Sequence, residues 1–473
     1  MKELCFHSAR KLARLIRTRK VSAAEVVKAH IAQVERVNPL VNAIVTFLPD
    51  QALREARRVD ARLSRKRSAG APGALAGLPI AYKDMVDTAG VRTTYGSPVY
   101  RDHVPAKDAL LVERLKSAGA ITLGKTNTPE FAAGSQTFNP VFGATLNPYD
   151  TTKTCGGSSG GAAVSVACGM LPFADGSDLG GSLRNPGNFC NVVGFRPTPG
   201  RVPMYPVGNA WAPLSVMGPI ARTVEDTAFL FSAMCGPDLR APLSIAEPGR
   251  NFLRPLGREF RRVRVGWSRD LGGLPVDASV AKVLEAQRKV FASLGCAVED
   301  AEPDLSGADE AFRTLRALGF VEKYGELLKQ RRSQIKDTVI WNIEEGLKLT
   351  PERIARANML RTQVYQRMRE FLERYEFLVL PVNQVPPFPV TQPYVTQING
   401  VSLASYIDWM KTCYLMTVTT HPAISVPAGF TPEGLPVGIQ IVGRFRDDFG
   451  VLQLAHAFEQ AAGAGRRRPP ILG

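Results

Sequence analysis

The stretch Gly77–Asp84, GLPIAYKD, read together with Cys155–Gly161, CGGSSGG, and Gly176–Arg184, GSDLGGSLR, decides how this chain of 473 residues is understood. LPIAY is an apolar run of strand length that delivers Lys83 at its end. A lysine held in apolar surroundings loses the hydration of its charged form, so its pKa falls and it becomes a base. The two downstream fragments set serines among glycines. A serine hydroxyl attacks a carbonyl only when a base takes its proton and donors meet the charge developing on the attacked oxygen. Gly180 and Gly181, just before Ser182, lack a Cβ, which lets backbone N–H groups approach a substrate oxygen. The common base is histidine, but none of His7, His30, His103, His421 and His456 stands near a glycine-flanked serine. A lone lysine at a strand end is ordinarily a solvated charge. With the glycine–serine runs beside it, the pattern reads as a serine hydrolase whose proton acceptor is a lysine.

These fragments resemble the amidase signature family of Ser-cisSer-Lys hydrolases. The similarity runs from about Leu78 to Val202 through GLPIAYKDMVDTAG, AITLGKTNTPEFAAGS, NPVFGATLNP, GGSSGGAA and GSDLGGSLRNPGNFCNVVGFRPTPGRVP, and resumes in HPAISVPAGF and LPVGIQIVGR. The resemblance implies that Ser182 is the acyl-forming nucleophile and that Ser158, joined to Gly157 by a cis peptide bond, bridges it to Lys83. It makes the N–H groups of Leu179, Gly180, Gly181 and Ser182 an oxyanion loop, supported by Gly157, Ser159, Asp178 and Arg184. Ala132 falls where the family's substrate channel passes the nucleophile. No metal or organic cofactor is implied. The partner is a small-molecule amide, and a homodimer is a common family arrangement. Two residues depart from the family pattern. Cys155 stands where many relatives have proline or another small residue, and Leu179 where threonine, glycine or isoleucine is frequent. Both bear on substrate preference. Cys155 has no evident base and reads as a small buried thiol.

Two other motifs point elsewhere and fail on context. Gly119–Thr126, GAITLGKT, fits the phosphate-loop pattern G-x-x-x-x-G-K-[ST], yet AITL reads as a strand after the helical VERLKSAG. A phosphate loop must itself be the turn from strand to helix. Gly156, Ser158 and Gly160 fit G-x-S-x-G, the nucleophile elbow of α/β-hydrolases, but the preceding YDTTKT is polar where that elbow needs an apolar strand.

Strands are expected at about 78–82, 120–123, 264–267, 377–382, 423–428 and 436–442. Helices are expected at about 109–118, 158–169, 223–235 and 278–294. Two amphipathic helices precede these within about 8–38, the second opened by Ser22 with Glu25 three positions on, and a charged helix follows near 50–67. The alternation predicts an α/β fold: one large domain, 1–473, with a mixed, mostly parallel central sheet covered by helices on both faces. Its motif core spans about 78–202. A charged helical section at about 303–375 is peripheral and borders the acyl pocket, its Phe320, Tyr324 and Trp341 reading as core aromatics. C-terminal strands and a helix occupy about 376–465.

Composition bounds the function. No run approaches the roughly 20 apolar residues of a membrane span, and the first residues lack an apolar signal core. Seven cysteines without C-x-x-C spacing favour free thiols and a cytoplasmic location. The net charge of +16 invites a nucleic-acid reading. However, the basic residues are dispersed among Arg57, Arg58, Arg62, Arg65, Lys66 and Arg67, then Arg261, Arg262 and Arg264, then Arg466–Arg468, with no aromatics interleaved. Nucleic acid is therefore not expected as a partner. Three functions follow in order: a stand-alone amidase, the glutaminase component of a tRNA-dependent amidotransferase (its A subunit), and an inactive scaffold of the same fold. That glutaminase component typically has MDEFAMG after GKTN where this chain has TPEFAAG, which looks more like the stand-alone amidases.

Overall fold

Strand Pro79–Lys83 is buried at every position and pairs in parallel with Ile121–Thr126, the two joined through helix Leu110–Ser117. Parallel neighbours need such a crossover, and the amphipathic, Gly-terminated VERLKSAG supplies it. Ile44–Phe47 adds an antiparallel third strand to this small sheet. The computed structural model describes residues 3–64 and 73–473. Arg65, Lys66 and Arg67, the end of the helix expected near 50–67, lie outside the described residues; the helix itself spans Pro49–Ser64. Ala9–Arg17 and Ala23–Val41 form the two N-terminal helices, and Ser22 and Glu25 make the expected reciprocal cap.

The main sheet has eight strands in the order Ala297–Asp300, Arg264–Trp267, Phe377–Pro381, Pro436–Gly443, Ala423–Phe430, Val193–Arg196, Val216–Ala221 and Phe173–Asp178. Helices cover it on both faces, as expected of a mixed α/β sheet. Parallel pairing is confined to the edge formed by the first three strands. The remaining neighbours run antiparallel, so the expected predominance of parallel pairs is corrected. For one pair the reason is connection length: Ala423–Phe430 and Pro436–Gly443 are joined by a tight turn, and so short a link permits only an antiparallel pair, while the other antiparallel neighbours are brought together from distant parts of the chain.

Four strands of this sheet escape the sequence pattern: Phe173–Asp178, Val193–Arg196, Val216–Ala221 and Ala297–Asp300. FADGSD has the composition of a turn. It becomes a strand because its polar side chains find buried partners: Asp175 accepts from the Lys83 backbone N–H at 3.1 Å. Tertiary pairing has overridden local propensity. Helix Gly160–Ala167, two residues shorter at each end than expected, is buried throughout. A Cβ on Gly161 would stand 2.3 Å from the Asn127 nitrogen, so glycine is what lets this helix press its first turn against the small sheet.

The expected helical section comprises Ala308–Arg331, Asp337–Leu347 and Pro351–Arg374. Phe320 and Tyr324 pack with Phe131 in a small apolar cluster, the Phe131 and Tyr324 rings 4.4 Å apart. Trp341 departs from the core reading: it is 39% exposed at its helix surface, edge-on to Tyr406. No described helix is long and apolar enough to cross a membrane. All seven cysteines are free and buried.

Candidate active site

Lys83 leaves its strand fully buried and directs its ammonium into a ring of hydroxyls. Nζ donates to Ser158 Oγ at 2.7 Å, Ser159 Oγ at 3.0 Å and Ser177 Oγ at 2.9 Å. No carboxylate forms an ion pair with it among the described residues. Burial lowers its pKa to about 7, against the opposing pull of Asp175 and Asp178. Asp175 itself is pushed up to about 6 by burial, with Lys125 and the Lys83 backbone holding it down.

Ser158 and Ser159 sit where the CGGSSGG run enters helix Gly160–Ala167, and the Gly157–Ser158 peptide is cis. The glycines here are a packing requirement. A Cβ on Gly160 would stand 2.3 Å from Thr137 Oγ1 and 2.7 Å from Cys155 Sγ. Ser159 ties this run to the neighbouring strand, its hydroxyl accepting from the Ser177 N–H at 3.3 Å and its own N–H donating to the Ser182 carbonyl at 3.2 Å. Ser177 is a site residue that sequence reasoning misses. The only signal for it is its place one residue before Asp178 in a segment that looks like a turn.

Ser182 stands beside this cluster at 9% exposure, with Lys83, Ser158 and Ser159 more deeply buried. Its hydroxyl makes no hydrogen bond among the described residues. Ahead of it, the N–H groups of Leu179, Gly180 and Ser182 have no protein acceptor among the described residues. Gly181 differs from the expectation of four free donors: its N–H donates to Asp178 Oδ1 at 2.8 Å. The glycine is required there for shape, since its φ is +116° and a Cβ would meet Cys413 at 2.7 Å.

Asp178 and Arg184 fix this loop. The carboxylate accepts from Arg184 Nε and Nη2 at 3.0 and 2.9 Å, from Arg196 at 3.3 Å, and from the N–H of Leu183 at 3.2 Å. Arg184 also reaches Gln440 Oε1 at 2.6 Å and the Cys413 carbonyl at 2.9 Å, tying the loop to the C-terminal strands and to helix Lys411–Thr419. Burial alone would raise the Asp178 pKa, but the two guanidiniums overcome it and hold the carboxyl far below its ordinary range. Asp178→Asn would leave two buried guanidiniums without their counter-ion. It is expected to cost about 3–5 kcal/mol, read as a fall in the denaturation midpoint at unchanged slope.

Ala132 lies in the turn Glu130–Ala132, where it and Phe131 have positive φ. The residues after this turn reach the serine loops: Ser135 Oγ accepts from Asn185 Nδ2 at 2.9 Å. Cys155 is buried, donates to the Thr145 carbonyl at 3.3 Å, and is pushed up to about 12 by burial, which makes it an inert thiol. GAITLGKT supplies strand Ile121–Thr126, its Lys125 fully buried beside Val86 and Thr88, so it is not a phosphate loop. His30 and His421 are buried against backbone carbonyls and lowered to about 4 by burial.

Comparison with known proteins gives the family. The Amidase family model matches residues 25–452. An acylamidase of Rhodococcus erythropolis is 36% identical, the match covering 98% of this chain and 97% of that protein. The A subunit of the glutamyl-tRNA(Gln) amidotransferase of Carboxydothermus hydrogenoformans is 33% identical, the match covering 99% of this chain and 100% of that protein. Among solved structures, a bacterial aryl acylamidase of the amidase signature family superposes with a TM-score of 0.93 at 30% identity, covering 99% of each chain. The chain belongs to the amidase signature family and is an amidohydrolase acting on C–N amide bonds.

Proposed function

We propose that this enzyme is a stand-alone amidase that hydrolyses N-acyl amides through an acyl-enzyme on Ser182. The observation that carries the reading is the buried Lys83, unpaired with any carboxylate among the described residues and ringed by Ser158, Ser159 and Ser177. A neutral lysine has two N–H bonds and one lone pair. With three hydroxyls around it, it donates to two, Ser159 and Ser177, and accepts from the third, Ser158. Ser158 is then polarised to take the proton of Ser182 as the Ser182 oxygen attacks the carbonyl. The free N–H groups of Leu179, Gly180 and Ser182 receive the oxyanion. The proton returns from Lys83 through Ser158 to the departing amine, and water releases the acid by the reverse path. These steps are complete with the chain's own residues and water.

The relatives named acylamidase and aryl acylamidase support an N-acyl or anilide substrate. A second reading, the glutaminase component of a tRNA-dependent amidotransferase, is favoured by the 33% identity to such a protein. Against it stand TPEFAAG in place of MDEFAMG and the dispersed basic residues. Purified alone, the chain is expected to release 4-nitroaniline from simple acyl 4-nitroanilides at a rate unchanged by added tRNA. Activity that requires partner subunits, glutamine and charged tRNA would transfer the enzyme to the second reading.

A further inference from the structure

The cleft lined by Ser135, Gln136, Phe138, Lys336, Thr338 and Tyr406 adjoins the serine loops. Its floor is tied to them on two sides. Asn185 bridges Ser135 and the Gly181 carbonyl, to which its N–H donates at 2.6 Å. A Cβ on Gly157 would stand 3.0 Å from the Gln136 carbonyl carbon. The opposite wall comes from the helical section, where Lys336 and Thr338 open helix Asp337–Leu347.

That wall offers donors and no acceptors for them. Lys336 Nζ lies 4.2 Å from the Phe138 ring centroid and has neither an acceptor nor an ion-pair partner among the described residues. Thr338 Oγ1 is buried and unpartnered. The Tyr406 oxygen already accepts from Arg316 Nη2 and from Asn342 Nδ2 at 2.6 Å, so its own proton remains to be donated. Behind it, Arg316 is 6% exposed and held only by neutral partners, Asn342, Tyr406 and the Phe320 ring. The Glu130 carboxylate on this side is engaged elsewhere, by Ser97 Oγ at 2.6 Å and the Lys336 backbone N–H at 2.8 Å. Burial lowers Lys336 to about 8 despite Glu130, as befits an ammonium short of a counter-ion. A buried cation is ordinarily paired; Arg316 stands here without a carboxylate, and the half-buried Lys336 makes no ion pair through its Nζ among the described residues.

We propose that this cleft receives a carboxylate carried by the substrate, so that the enzyme prefers amides bearing an acidic group over neutral isosteres. The free volume of about 30 Å³ has room for roughly two water-sized groups, the size of the two carboxylate oxygens. The proposal rests on the amidase reading above and names the substrate class of that same site.

The test follows 4-nitroaniline release by the full chain from the mono-4-nitroanilides of succinic, glutaric and adipic acid. Each is compared with the isostere whose carboxylate is replaced by a methyl ketone. At least one acid is expected to exceed its isostere in kcat/KM by about tenfold, mainly through KM, the scale of a charge-assisted hydrogen bond. Lys336→Met erases that preference by slowing the acids far more than their isosteres, Lys336→Arg keeps it, and an unchanged thermal midpoint reports an intact fold. Equal kcat/KM within every pair, or a Lys336→Met loss shared equally by acid and isostere, overturns the proposal and leaves the amidase reading standing. Failure to hydrolyse any of these anilides overturns the proposal as well, and if a fluorophosphonate also fails to label Ser182, the acyl-enzyme reading falls with it.

Discussion

Ser182→Ala is expected to lower amide turnover by on the order of 10⁶-fold, the scale on which loss of a serine nucleophile is felt. Covalent labelling by a fluorophosphonate should disappear with it. The fold should survive, because the hydroxyl makes no hydrogen bond among the described residues and the backbone carbonyl that accepts from Ser159 is untouched. Intact protein mass after labelling, followed by peptide mapping, checks the assignment. An adduct on Ser158 or Cys155 would move the nucleophile there. Cys155 is the weaker rival, since burial pushes its thiol up to about 12 and leaves almost no thiolate at neutral pH.

Lys83→Ala separates the two halves of the proton relay. In the forward half Lys83 must be neutral. Its pKa has been lowered by burial to about 7, so kcat/KM of the native enzyme rises as pH rises through about 7 and levels off in mildly alkaline solution. The variant loses that inflection. In the return half the protonated lysine supplies, through Ser158, the proton that an amine needs in order to leave. A phenoxide departs with much less help. Lys83→Ala is therefore expected to slow an anilide by ~10²–10⁴-fold more than the phenyl ester of the same acid. Equal losses on both would confine Lys83 to activating Ser182, and retention of both activities would remove it from the mechanism. Because the change also opens space in a buried ring, the variant's thermal midpoint should be read beside its rates.

The glycines of the two serine runs have distinct roles. Gly160 and Gly161 are small so that a helix start can press against Thr137, Asn127 and Ala43. Gly181 instead adopts a φ of +116° under Cys413, and its N–H is held by Asp178. In the proposed mechanism the donors left to a substrate oxygen belong to its neighbours.

What the sequence determined by itself was local. LPIAY and AITL read as buried strands because apolar runs of that length have few other uses, and Ser22 with Glu25 marks a helix start that the structure caps as expected. Lys83, Ser158 and Ser182 were singled out because glycine–serine runs and a lysine after an apolar strand are signals confined to a few consecutive residues, with the roles of the two serines implied by the family resemblance. What only the tertiary structure decided depends on partners far along the chain. FADGSD is a strand because Lys83, from another sheet, satisfies Asp175 and Ser177 inside the core; without that partner the same residues belong in water. The antiparallel bias of the main sheet came from the order in which distant segments dock, which no single segment's periodicity encodes. The cationic cleft is the extreme case. Lys336 and Thr338 open one helix while Arg316 and Tyr406 come from other parts of the chain, each an ordinary polar residue in its own context. Their meaning arises only where folding removes water from around them and leaves their charge without an anion.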